Sequence, residues 1–180
     1  MGTTGMTAMR YGASDASGIL AVLRTSLIAA LVLGFTLLLT RHLIAGLGFQ
    51  LLGGGDEVRQ LARSYFNIRI LAAPAVMLQY VLQGWFIGMQ DSRSPMYVAL
   101  LENVLNIVFN LFFVLVMGMT SDGVALGTVM ARYSGLALAL YFFKSRYPEF
   151  LYGLFKTRGR AENISMRALF GVNTDLFIRT

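Results

Sequence analysis

Six polar side chains interrupt otherwise apolar stretches of this sequence, and their spacing lets them act together. Glu102, Asn103, Asn106 and Asn110 fall inside PMYVALLENVLNIVFNLFFVLVMG, and Thr128 and Arg132 inside GVALGTVMARYSGLALALYFF. Asn103, Asn106 and Asn110 stand at i, i+3 and i+7, which puts them on one helical face. Polar groups in hydrocarbon are costly without partners, so that face should point into a bundle. The two stretches are joined by the short loop MTSDG, so their helices run antiparallel. Counted at about 1.5 Å per residue from Pro95 and Phe143, Asn106 lies roughly 16 Å deep, and Asn110 and Thr128 roughly 22 Å. Amide and hydroxyl oxygens at similar depth are hard ligands that suit Na⁺ or a hydrogen-bonded proton carrier. The commoner use of such groups is interhelical hydrogen bonding, worth about 0.6 kcal/mol per bond. Glu102, roughly 10 Å deep, and Arg132, roughly 16 Å deep, read as an intramembrane charge pair between the two helices, structural in the first instance.

Other chemistries find no support. There are no cysteines, which removes disulfides and thiolate-held metals. His42 is the single histidine and reads as an interfacial side chain. No Ser/His/Asp set or metal-ligand cluster is present, and glycines 53–55 have no strand before them and no lysine after them, so they are not a phosphate cradle. Neither enzyme activity nor a cofactor is expected. The net charge of +6 reads as loop charge on a membrane protein, with no nucleic acid as partner.

The elements that position these residues are four apolar stretches near 25–47, 68–89, 95–118 and 123–143. About 20 apolar residues of helix cross a hydrocarbon core about 30 Å thick. The chain is 56% hydrophobic and 13% charged, with a mean hydropathy of +0.63. Soluble domains carry about 25% charged residues. The fold class is therefore all-α, a polytopic transmembrane helix bundle in the cell (inner) membrane. Asp56 and Glu57 start a helix that is amphipathic at first and then becomes the second span, where Pro74 should produce a kink. Pro95 suits the first position of the third span. Gly84/Gly88 and Gly123/Gly127 suit close helix packing, and Trp85, Tyr147 and Tyr152 suit interfacial anchoring. Up to Arg167, nine Lys/Arg lie on one side of the spans and four on the other, which places Arg10, Arg93 and 144–167 in the cytoplasm. Residues 1–10 read as the end of a helix and 169–180 as the beginning of one, as in a fragment of a longer protein.

The segments YFNIRILAAPAVMLQYVLQGWFIGMQDSRSP, NVLNIVFNLFFV and GVALGTVMARYSG resemble the multidrug and toxic compound extrusion (MATE) transporters, most of all their DinF-like branch. The resemblance runs through nearly all 180 residues. It implies twelve transmembrane helices in two lobes and cation-coupled export by alternating access. This chain would supply most of the amino-terminal lobe, from the end of helix two to the first turns of helix seven. The branch implies a cation site built from an acid of helix one, an Asn and an Asp four apart on helix five, and a Thr on helix six. Asn106 and Thr128 match the Asn and the Thr. Asn110 stands at the Asp position, where an amide can ligate Na⁺ but cannot carry a proton. Arg132 stands where the family often has Gln.

The function expected on this resemblance is Na⁺- or H⁺-coupled antiport of organic or toxic compounds. Its partners are the lipid bilayer, a small organic substrate and a second lobe. The alternatives are a lipid-linked oligosaccharide or polysaccharide flippase, which would line its cavity with several cations, and a truncated bundle that transports nothing.

Overall fold

The computed structural model describes residues 2–51 and 55–156. The helix expected over 169–180 lies outside the described residues. Among the described residues the elements are α1 (Gly2–Gly12), α2 (Ala16–Leu39), α3 (Arg41–Leu51), α4 (Asp56–Arg69), α5 (Ala73–Gly88), α6 (Arg93–Leu111), α7 (Ser121–Arg146) and α8 (Pro148–Lys156). Four helical runs are long and apolar enough to span a membrane: Ala16–Leu39, Val58–Gly88, Arg93–Val116 and Ser121–Arg146. Large apolar side chains point away from the bundle along these runs, including Val32, Phe35, Leu100, Ile107 and Leu115. That is the arrangement lipid requires, because helices satisfy their own backbone groups and need no polar coat.

The first span begins nine residues before the expected start. Arg24 reads as a boundary in sequence, but α2 carries it within the span and starts instead from Asp15, whose Oδ1 accepts from the Gly18 N–H at 2.8 Å. The helix stops at Thr40, and 41–47, expected to finish the span, belongs to the separate helix α3. The second span is longer than expected. The amphipathic α4 leads through a tight 3₁₀ turn, Ile70–Ala72, into α5. Pro74 sits directly after that turn, so the expected irregularity is a change of helix type that accommodates its missing N–H. Pro74 also touches α2, where a Cβ on Gly34 would lie 2.7 Å from Pro74 Cα.

Helix α5 is central and contacts α1, α2, α6 and α7. Its Gly88 admits α1, since a Cβ there would lie 2.5 Å from Thr7 Cβ. Trp85 is fully buried rather than interfacial. Its indole packs edge-on to Phe143, Tyr147 and Phe150, with centroids 5.2, 4.9 and 5.4 Å away. This aromatic cluster fastens the end of α5 to α7 and α8. Helix α6 is the least covered span. Only 11% of its most apolar stretch is buried, against 39% in α7, its main neighbour.

Two turns at the end expected to face the cytoplasm use one device. Ser14 and Gln90 take left-handed φ values of 54° and 62°. In each turn the following aspartate N–H reaches back five residues, Asp15 to Arg10 O and Asp91 to Phe86 O, both at 2.9 Å. This is the Schellman closure of a helix C-terminus. Each aspartate then caps the next helix, Asp15 at Gly18 N and Asp91 at Ser94 N. Asp91 gathers the most partners: Ser94 Oγ donates at 2.6 Å, Arg146 Nη1 at 3.2 Å and the Tyr147 hydroxyl at 3.4 Å. Burial pushes the Asp91 carboxyl up, but the Ser94 and Arg146 donors outweigh it and hold it below its ordinary value. Burial, then the Asp91 charge, pushes Tyr147 up to about 12. The Gly18 N–H, then Ser17, lowers Asp15.

Candidate functional site

Helices α6 and α7 meet along two matching stripes. On α6 the stripe is Glu102, Asn106 and Asn110, one turn apart each. On α7 it is Gly127, Ala131 and Gly135. A Cβ on Gly135 would overlap Glu102 Oε1 and Cγ, and a Cβ on Gly127 would overlap Asn110 Oδ1 and lie 3.1 Å from Asn110 N. That antiparallel register sets Ala131, 2% exposed, opposite Asn106. Small residues on α7 therefore make the room in which the polar side chains of α6 are held.

At one end of this seam the expected charge pair is formed. Arg132 Nη1 donates to Glu102 Oε2 at 2.9 Å. Gln79, from α5, completes it: its Nε2 donates to Glu102 Oε1 and, at 2.9 Å, to the Arg132 carbonyl. Glu102 and Gln79 are buried, whereas the Arg132 side chain is 35% exposed. A carboxylate can only accept, so the amide is oriented with Nε2 toward it. Gln79 Oε1 is then buried without a donor.

At the other end Asn110 Nδ2 donates to Asn106 Oδ1 at 3.1 Å. Asn110 Oδ1, pressed against Gly127, is a second buried oxygen without a donor. Thr128 follows Gly127 directly, but its hydroxyl donates along its own helix to Val124 O at 2.8 Å, leaving its oxygen lone pairs available. Asn103 does not join the seam; it is exposed on α6. The spacing i, i+3, i+7 is broad enough to include it, but the stripe that meets α7 is i, i+4, i+8 from Glu102. Directly after Asn110 the helix widens into one π turn, Phe112–Val116. Such turns interrupt the regular ladder and recur near functional sites.

Sequence reading missed two members. Gln79 was visible as a polar break in α5, and its depth was not compared with that of its neighbours. It lies nine residues from Gly88, roughly 14 Å in, which matches Glu102 and Arg132. Gly135 carries no signal of its own in the sequence, and what it accommodates is a carboxylate, that of Glu102.

The seam where α5, α6 and α7 meet thus holds one part-buried ion pair, one amide pair and two of the orphaned amide oxygens found among the described residues. Hard oxygens in that arrangement suit a small hard cation, and the charge pair keeps the interface neutral overall.

Known proteins share this architecture. Residues 1–112 match the MatE family profile. DNA damage-inducible protein F of Escherichia coli (strain K12) is 34% identical over 187 aligned positions, which cover 100% of this chain and 39% of that protein. An inward-facing structure of a multidrug resistance MATE family transporter of the MOP superfamily superposes with a TM-score of 0.72 at 28% identity, covering 92% of this chain and 35% of that one. An outward-facing one superposes at 0.74 and 27% identity, covering 93% and 35%. The chain thus spans well under half the length of these relatives. With more than half of its residues inside the profile and its whole length aligned to a relative at 34% identity, this chain belongs to the MatE family of multi-pass membrane transporters.

Proposed function

We propose that the chain forms the amino-terminal lobe of an antiporter that exports organic or toxic compounds and is driven by Na⁺ or H⁺. Asn106, Asn110 and Thr128 line the cation site. The observation that carries this reading is the amide pair, where Asn110 Oδ1 is buried and undonated beside Asn106 and against Gly127, the residue that precedes Thr128 on α7. An orphaned oxygen in a low-dielectric interface is unfavourable by about 1–3 kcal/mol, and a bound cation would offset that cost. The second support is conformational. The lobe superposes almost equally on inward-facing and outward-facing transporters, as expected if it moves as a rigid body against a second lobe.

In proteoliposomes of the full-length protein, Asn106→Leu and Thr128→Val should each reduce cation-driven efflux about fivefold or more while leaving membrane insertion intact. Efflux at the wild-type rate in both variants would remove these residues from the site. The 180-residue chain expressed alone should give no efflux, because it has no second lobe to rock against. The flippase alternative needs several unpaired cations on a cavity wall; the one arginine of this seam is committed to Glu102.

A further inference from the structure

Glu102 is the one acidic side chain in the interior of the four spans, and it lies one helical turn from Asn106. Among the described residues the charged group that contacts it is Arg132 from α7. From α5 it meets the neutral Gln79, and its own helix adds the neutral Asn106. With the pair made, the seam carries no net charge. A cation added to that state would leave an uncompensated positive charge in a low-dielectric interface, which is strongly unfavourable. The seam takes up a cation without this penalty when one positive charge leaves as the other arrives.

Arg132 is built to leave. Its side chain is 35% exposed while that of Glu102 is 10% exposed, so the guanidinium already borders the open side of the interface. Its long stem lets the head group reach water while the aliphatic part stays packed. What remains behind is the Glu102 carboxylate with Gln79, whose Oε1 is undonated, beside it; the orphaned Asn110 Oδ1 lies two turns further along the seam, about 12 Å away at the amide pair. Gln79 is 1% exposed, so water does not reach that oxygen.

We propose that Arg132 is a tethered stand-in for the coupling cation. Its guanidinium neutralises Glu102 while the site is unloaded, and an arriving Na⁺ or proton displaces it. In the sodium case the carboxylate exchanges a guanidinium contact for Na⁺. In the proton case Glu102 takes the proton on one oxygen and the guanidinium is released with its charge. This proposal rests on the cation-coupled reading above and adds the internal competitor that would set its cation affinity.

The test is the cation dependence of efflux by the full-length protein in proteoliposomes, with Na⁺ titrated at fixed pH and pH titrated without Na⁺. Removing a competitor improves binding, whereas removing a purely structural partner does not. Arg132→Gln should lower the half-saturating Na⁺ concentration about tenfold, or raise the activating pH midpoint by about one unit if the proton is the ion. Glu102→Gln, which keeps the side-chain shape and one acceptor oxygen but loses the charge, should flatten whichever dependence the wild type shows. An unchanged or raised half-saturating concentration in Arg132→Gln overturns the proposal. If Asn106→Leu still abolishes coupling in that assay, the cation-coupled reading survives alone. Efflux that needs no cation gradient in the wild type overturns both. Should Arg132→Gln fail to accumulate, Arg132→Lys decides: the guanidinium meets the carboxylate through one nitrogen only, and an ammonium keeps the charge but is more strongly hydrated and leaves more readily, so a smaller shift in the same direction is expected, and no shift overturns the proposal.

Discussion

The Asp91 turn and the Glu102 seam use the same ingredients, a carboxylate, an arginine and neutral donors, yet they reach different degrees of completion. Asp91 accepts from two backbone N–H groups, the Ser94 hydroxyl, Arg146 and Tyr147. It stands at the end of the bundle, where water can serve any group the protein does not. The seam lies at mid-depth between helices, and it leaves Gln79 Oε1 and Asn110 Oδ1 buried without donors. A fully partnered Asp91 carboxylate at the bundle end, although Trp85 Nε1 nearby goes without a partner, set against a mid-depth seam with two undonated oxygens, is the reverse of what stability alone would favour. The turn is a fastening, and the seam is a fastening with vacancies in its hydrogen bonding.

The sharpest way to break this contrast is at Gly135. A valine there would drive its side chain into Glu102 and Gln79, both of which are buried. Overpacking of this kind costs about 1–3 kcal/mol, and separating a buried ion pair adds to it. Gly135→Val should abolish the cooperative thermal transition of the detergent-solubilised protein or stop it accumulating. A melting curve that matches wild type would mean that α6 and α7 do not meet in this register.

Arg132→Gln ranks next. It leaves Glu102 buried without a counter-charge; a fully buried pair would lose about 3–5 kcal/mol, and with the Arg132 side chain 35% exposed the loss should be about 2 kcal/mol, more than at Asp91 because Glu102 has no backbone N–H donors to fall back on. Adding Glu102→Gln should recover most of that loss, giving a coupling of about 2 kcal/mol in a double-mutant cycle of melting free energies. A double variant no more stable than the single one would show that the two charges do not depend on each other.

Much of this was legible in the sequence because a membrane narrows the choices. Apolar length gave the four spans, and counting depth set Glu102 near Arg132 and Asn110 level with Thr128, with Asn106 a turn shallower. What escaped detection depended on neighbours two spans away or on charges that mimic boundaries. Gln79 belongs to α5 and enters the seam only because α5 is the central helix. Arg24 reads as the edge of a span, yet α2 continues past it to Asp15, where a cap is available. The turn at 14–18 repeats the device at 90–94, but its aspartate lies in a stretch whose composition gives no helix start as strong as Asp91-Ser-Arg-Ser-Pro. Trp85 fits an interfacial belt by type and position; its burial follows from α8 folding back over the bundle end, which the apolar pattern of α5 does not contain.

The smallest expected effects lie at the Asp91 turn, and they sharpen the contrast by being ordinary. Asp91→Asn keeps one acceptor for the N–H groups of the cap and loses the charge that Arg146 meets. With the Arg146 side chain 39% exposed, the ion pair is worth little, and the variant should lose about 1 kcal/mol, mostly cap strength. The native Asp91 carboxyl lies below its ordinary value, so its contribution is fully present above the unfolded pKa of about 3.9 and is lost only as pH falls through the lower native value. Thermal stability attributable to Asp91 should therefore be flat from about pH 5 to 8, and wild type and Asp91→Asn should converge only under strongly acid conditions. Tyr147 titrates at about 12, so Tyr147→Phe should shift melting by a few tenths of a kcal/mol at any pH below about 10. A melting difference between wild type and Asp91→Asn that changed between pH 5 and 8 would mean that another group of the turn titrates there. It would make the turn responsive to protons.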